Sequence, residues 1–277
     1  MQGSITQIAA LVLYGNYLLQ NATKRLTPAF LSNSAFQFCE SVSFVDITPA
    51  PAGQPGEETQ CAANPMDWFE HLRNEGVCGL CMRYGPSSGK TGLADRLLVG
   101  FVGGGGRWLI EAYRADEASY WESRWQLGDR NRPDRNIWRV SYLRIFRGKA
   151  MPAASAENLE QLKQELRQCL EEIVGFSRSQ KLDNFTKCFE AGLAKLDSST
   201  PLAGLYLEDI APPGFLSLRA MQLLGAAEEA WVFGGMGSWN DMGFAGETQM
   251  QYEKVSERLY QLLNRVIVAV VNSRSVL

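Results

Sequence analysis

Cys61, His71, Cys78 and Cys81 lie within a short stretch and are of the types that ligate zinc, and Cys78-Gly-Leu-Cys81 has the spacing of a zinc knuckle or a redox pair. Each chemistry needs a particular backbone. A knuckle requires a turn, and a thioredoxin-like thiolate requires a helix N-terminus, whereas VCGLCMRY has strand character and would send residues 78 and 81 to opposite faces. The expectation is buried structural thiols, with these four residues only as minor metal candidates. His71 is the only histidine, so any Ser/His/Asp or Cys/His relay has to use it. It stands between Glu70 and Leu72 in a short charged helix, without a nucleophile elbow nearby, and reads as a surface or helix-packing residue. GPSSGKTG at 85–92 has three residues between Gly85 and Gly89 where a phosphate loop has four, and it runs on into strand-like RLLVGFVG. It reads as a solvated loop, and no motif calls for a cofactor.

Arginine and tryptophan supply the stronger signal. Residues 77–149 hold 13 Lys and Arg against 7 Asp and Glu, and the rest of the chain holds 14 against 23. A guanidinium both pairs bidentately and stacks on aromatic faces. Arg107, Trp108, Arg124, Trp138, Arg139 and Arg144 are therefore candidates for binding an anionic or aromatic small molecule, or a protein partner. The plainer alternative is a half-solvated sheet on which Arg and Glu pair across strands. Glu111, Glu117 and Glu122 would repel phosphates on the same sheet, so nucleic acid is not the expected partner.

A second candidate is Ala230–Phe244, AWVFGGMGSWNDMGF, with Ser238, Asn240 and Asp241 at its apex. Either it packs Trp231, Phe233 and Trp239 into the core, or it forms the rim of a pocket. Asp241 and Glu208 are the weak acid/base candidates. They support an alternative function: a small enzyme acting on an anionic substrate in a cleft between the sheet and the 230–244 loop. The leading expectation is a binding protein that uses the Arg/Trp-rich sheet surface and is not an enzyme.

Apolar residues at intervals of three and four predict helices over 5–20, 66–74, 156–177, 183–196, 216–233 and 247–272. Strands are expected at 36–47, 77–84, 95–102, 107–114, 119–127 and 136–147, with Gly103–Gly106 turning a hairpin and residues 49–60, PAPAGQPGEETQ, forming a loop. In YWESRWQL, Trp121, Ser123, Trp125 and Leu127 share one face. In IWRVSYLRIF, Trp138, Val140, Tyr142, Arg144 and Phe146 share one side. The expected fold is α+β: an antiparallel β-meander of about five strands packed against a C-terminal helical group, with an N-terminal helix, in a single domain over 1–277 whose possible subdomains are 1–150 and 151–277. Six irregularly spaced cysteines, no signal-like start and no long apolar run predict a cytoplasmic chain with reduced thiols and no membrane span. The apolar stripe of the last helix leaves room for a homo-oligomer.

Overall fold

The computed structural model describes residues 1, 3–21, 26, 28–48, 56–87, 92–101, 104–150 and 157–273. Its six strands are β1 (Cys39–Thr48), β2 (Glu57–Ala62), β3 (Gly79–Gly85), β4 (Arg107–Arg114), β5 (Glu117–Leu127) and β6 (Trp138–Lys149), joined in one sheet of order β2-β1-β6-β5-β4-β3. From β3 to β6 the chain is the antiparallel meander that the short turns dictate. The complete sheet is mixed, because β1 joins β6 in parallel and β2 adds antiparallel to β1. A parallel pair needs a long crossover. The partner of β1 therefore lies about a hundred residues away, as in Val42 opposite Val140, where no local pattern announces it.

Two local expectations fail for identifiable reasons. Residues 57–62 are a strand, not part of a loop; β2 is an edge strand exposed over most of its length, so EETQCA shows no apolar alternation to read. Residues 49–55 lie outside the described residues. The apolar run 95–101, the described part of the expected strand, is not a strand either: Asp95–Leu98 is a single helical turn, α3, and it buries Arg96 against Glu253 and Glu257. Gly104–Gly106 after it do not turn a hairpin from a preceding strand. A Cβ on Gly104 would stand 2.0 Å from the Leu98 carbonyl oxygen, and Gly105 and Gly106 take φ of 84° and 91°, so only glycine lets the chain fold back over α3. Residues 102 and 103 of the expected hairpin are outside the described set.

Helix α1 (Gly3–Leu19) and helix α2 (Pro65–Asn74) cover the inner sheet face. α2 starts where the Asn64 side chain accepts from the amides of Met66 and Asp67, with Pro65 at a position that needs no donor. Beneath it Phe44 is stacked between Trp68 (4.2 Å between centroids) and Tyr142 (5.3 Å). Helices α4 (Leu159–Ser179), α5 (Asp183–Lys195) and α6 (Leu218–Glu229) pack on one another and on α7 (Gly246–Asn272), which carries this group to β3. The C-terminal helices thus reach the sheet mainly through α7. Buried side chains from all these layers form one continuous apolar cluster. Among the described residues no helix is long and apolar enough to cross a membrane.

The outer edge of β3 is closed by two carboxamides. Asn16 on α1 accepts from Leu80 N (2.7 Å) and donates to Leu80 O (2.9 Å); Asn272 at the end of α7 does the same for Met82 N (2.8 Å) and O (2.9 Å). Each side chain thus stands in for a neighbouring strand, which removes the template for edge-to-edge pairing. Asn272→Leu strips Met82 of both partners and is expected to destabilise the protein by about 2 kcal/mol in urea unfolding. A loss below about 0.5 kcal/mol would mean that water replaces the carboxamide freely.

Candidate binding cleft

β5 outruns β4. Their ladder ends at Leu109 opposite Glu122, but β5 continues along β6 to Leu127 opposite Trp138. Beyond the last β4 pair opens a cleft of about 790 Å³, within the usual range for ligand pockets. Its walls come from the start of β4, the far half of β5, Trp138 and Leu143 of β6, residues 99–101, 104 and 106, Ala35, Gln37 and Phe38, Tyr206, and the chain from Met1 into the start of α1. Because it wraps round the end of a strand pairing, it collects side chains from both sheet faces.

Trp108, Trp125 and Trp138 line the cleft together with Phe38 and Phe101. Trp125 and Trp138 meet edge to face at 6.0 Å, and the Trp125 indole is oriented by donating to Ser123 Oγ at 3.2 Å. Trp108 is held by Tyr84, 4.6 Å away. Phe38 has φ of 65°, a costly conformation for a bulky residue, while its carbonyl accepts from Trp138 N at 2.9 Å. Phe38 is 42 % exposed and Phe101 69 %, so two large apolar residues stand at the cleft in contact with water.

The charges of the cleft are already matched. Arg107 forms a two-pronged pair with Glu122 (2.9 and 2.7 Å), and Arg124 does so with Glu58 (2.7 Å twice). Arg124's hydrogen bonds hold the Glu58 carboxyl below its ordinary range, and Glu58 in turn raises the guanidinium. Both pairs are solvent-exposed and contribute little stability. Their effect is to leave the cleft aromatic in character, with neither guanidinium waiting for an anion.

Arg107, Trp108, Arg124 and Trp138 therefore share one cleft, and the other candidates lie elsewhere. Arg139 pairs with Glu40 at 2.8 Å outside the cleft. Arg144 is buried on the core side, 4.4 Å over the Trp121 ring, and reaches Asp46 and Glu75 (2.8 Å each) and His71 (2.9 Å). An arginine only donates, so His71 accepts through Nε2. Cys61 and His71 do come together with Asp46, their ligand atoms within 4.8 Å of one another, but the guanidinium groups of Arg144 and Arg147 already supply the positive charge there. Cys78 is exposed and turned toward Gly76 O, Cys81 is buried on β3, and neither joins that cluster.

The 230–244 loop is held by its own contacts. Ser238 accepts from Asn240 N and donates to Gly234 O, Asn240 donates to Arg96 O at 2.6 Å, and Asp241 accepts from Gly237 N. Glu208 accepts from Gly204 N. None of these side chains lines the cleft; the loop touches its outer wall, where Gly100 fits against Gly234 and Gly235. Phe38, Phe101 and Trp125 belong to the cleft and were not among the sequence candidates. The one available signal was length, eight residues in β4 against eleven in β5.

No family model, no curated protein and no solved structure matches this chain.

Proposed function

We propose that the protein is a non-catalytic binding protein whose recognition site is the aromatic cleft between the start of β4 and the start of β6. The observation that carries this reading is the cluster of Trp125, Trp138, Phe38 and Phe101 around a cavity open to water, with its arginines already satisfied by carboxylates. Such a surface selects an apolar or aromatic group and gains little from an anion. Six free thiols and the absence of any disulfide are in keeping with a reducing, cytoplasmic setting. The enzymatic alternative has less support, because Asp241 and Glu208 are engaged with backbone amides of their own loops and stand outside the cleft.

Titration with the neutral solvatochromic dye Nile red tests the reading. Saturable one-site binding is expected, weakened roughly tenfold or more by Trp138→Ala and left unchanged by Arg139→Ala. Thermal unfolding of each variant serves as the folding control. Binding that ignores Trp138→Ala, or no saturable binding at all, would place recognition elsewhere.

A further inference from the structure

We infer that the cleft is a strand-addition site: it takes an extended segment of another protein, which pairs its backbone with the free edge of β5 and sends alternate apolar side chains between the tryptophans. This deepens the function proposed above and rests on it.

The direction of the backbone follows from two hydrogen bonds. Gly128 N donates to Ile137 O at 2.7 Å, so Gly128 faces β6; Trp138 N donates to Phe38 O at 2.9 Å, so Trp138 faces away from β5. In an antiparallel ladder these orientations alternate by residue. Gln126 and Arg124 therefore bond toward β6, while Trp125 and Leu127 turn their N–H and C=O outward, past the end of the β4 ladder. No described strand pairs with them there. The contrast with β3 is informative, since there Asn16 and Asn272 are spent on closing an edge. On β5, among the described residues, the same kind of edge is left open, and it opens into the aromatic cleft.

A row of outward amides and carbonyls is complementary to one thing above all, another extended backbone. Successive side chains of an added strand alternate between faces, so every second one would enter beside Trp125 and Trp138. Those side chains should be apolar or aromatic and uncharged, because Glu122 and Glu58 already hold Arg107 and Arg124. The exposed side chains of Phe38 and Phe101, with fully exposed Met236 next to Gly235 at the Gly100 contact, extend the apolar surface beyond the cavity in the way a polypeptide partner needs. The open edge offers two outward residues, Trp125 and Leu127, which is room for a short extended segment and too little for the full edge strand of a second sheet.

The test is selection of a random nonapeptide phage library on the full chain, followed by synthesis of the enriched peptide with each amide N-methylated in turn. The expected result is a peptide with apolar residues at alternate positions, whose affinity falls roughly tenfold or more on methylation of the two amides, two residues apart, that face Trp125 and Leu127, and changes little at the others. It should also displace Nile red. If Nile red binds but no peptide is enriched, or the methylation losses lack a period of two, strand addition is overturned and the cleft remains a small-molecule site. If the peptide-free protein sediments as a dimer that the peptide dissociates, the occupant is a second copy and the inference is again overturned. If neither dye nor peptide binds, the function proposed above fails with it.

Discussion

Trp239→Ala should cost about 4 kcal/mol of stability, the largest effect expected of a single substitution in this chain. Trp239 sits in the 230–244 loop yet has no exposed surface, and Phe185 and Phe189 meet its ring edge-on at 5.1 and 5.2 Å. Its indole donates to Ser256 Oγ at 2.7 Å and its carbonyl accepts from Tyr252 at 2.6 Å, which ties the loop to α7. Truncation leaves both a cavity and a buried hydroxyl without its donor. Trp239→Phe separates the two contributions: it keeps much of the volume, strands Ser256 and should cost about half as much. Urea unfolding reads both values. A loss near 1 kcal/mol for the alanine variant would show the loop to be a surface feature and would return Ser238, Asn240 and Asp241 to contention as a pocket rim.

Arg144→Leu is expected to cost about 3 kcal/mol. Arg144 has 3 % of its surface exposed, and its guanidinium faces Asp46, Glu75, His71 and the Trp121 ring, so leucine leaves two part-buried carboxylates with only the more distant, exposed Arg147 (3.2 and 3.6 Å) as a cation. Lysine should not rescue it, because a point charge cannot meet partners in three directions at once. The variant also has a pH signature. Burial is the largest single influence on the Glu75 carboxyl and would raise it, but the hydrogen bond and charge of Arg144, with smaller contributions from the charges of His71 and Arg147, together hold that carboxyl below its ordinary range. A depressed carboxyl stabilises the fold above its unfolded pKa, about 4.3, and that contribution disappears as pH falls through the lower folded value. Wild-type stability should therefore decline on acidification below about pH 4 to 5, and Arg144→Leu should decline less steeply over the same window. Parallel pH profiles would show that Arg144 does not set the titration of Glu75.

What could be read from the sequence was whatever is encoded locally. β4, β5 and β6 fall within two residues of the segments predicted by alternation, and α1, α5 and α7 do the same by their three-and-four spacing, while α4 starts three residues later and α6 ends four residues earlier than expected. Long-range pairing was not local, and so β1 beside β6 could not be seen. Neither could β2, whose exposed edge has no buried face to mark it. The faces of β6 illustrate the limit most clearly. Trp138, Val140, Tyr142 and Arg144 do share the core side, but the ladder with β5 slips between Tyr120 and Trp121, so Ile145 is skipped and Phe146 emerges on the other face against Tyr120. The same geometry explains the divided fate of the arginine candidates. Arg107 and Arg124 reach the cleft because it wraps around the end of a ladder, while Arg144, on the core side of β6, is drawn under α2 to His71 and Glu75. Arg96 passed unnoticed because a charged residue in an apolar run resembles the exposed face of a strand; its partner Glu253 lies on α7.

The seven tryptophans provide built-in reporters, since their indole N–H signals are resolved individually in a nitrogen-15 correlation spectrum. Titration with a bound ligand, dye or selected peptide, should move Trp108, Trp125 and Trp138 at the cleft and leave Trp68, Trp121 and Trp239 in the core unmoved. Saturable shifts at Trp121 or Trp239 with Trp125 and Trp138 still would contradict the assignment of the cleft as the binding site.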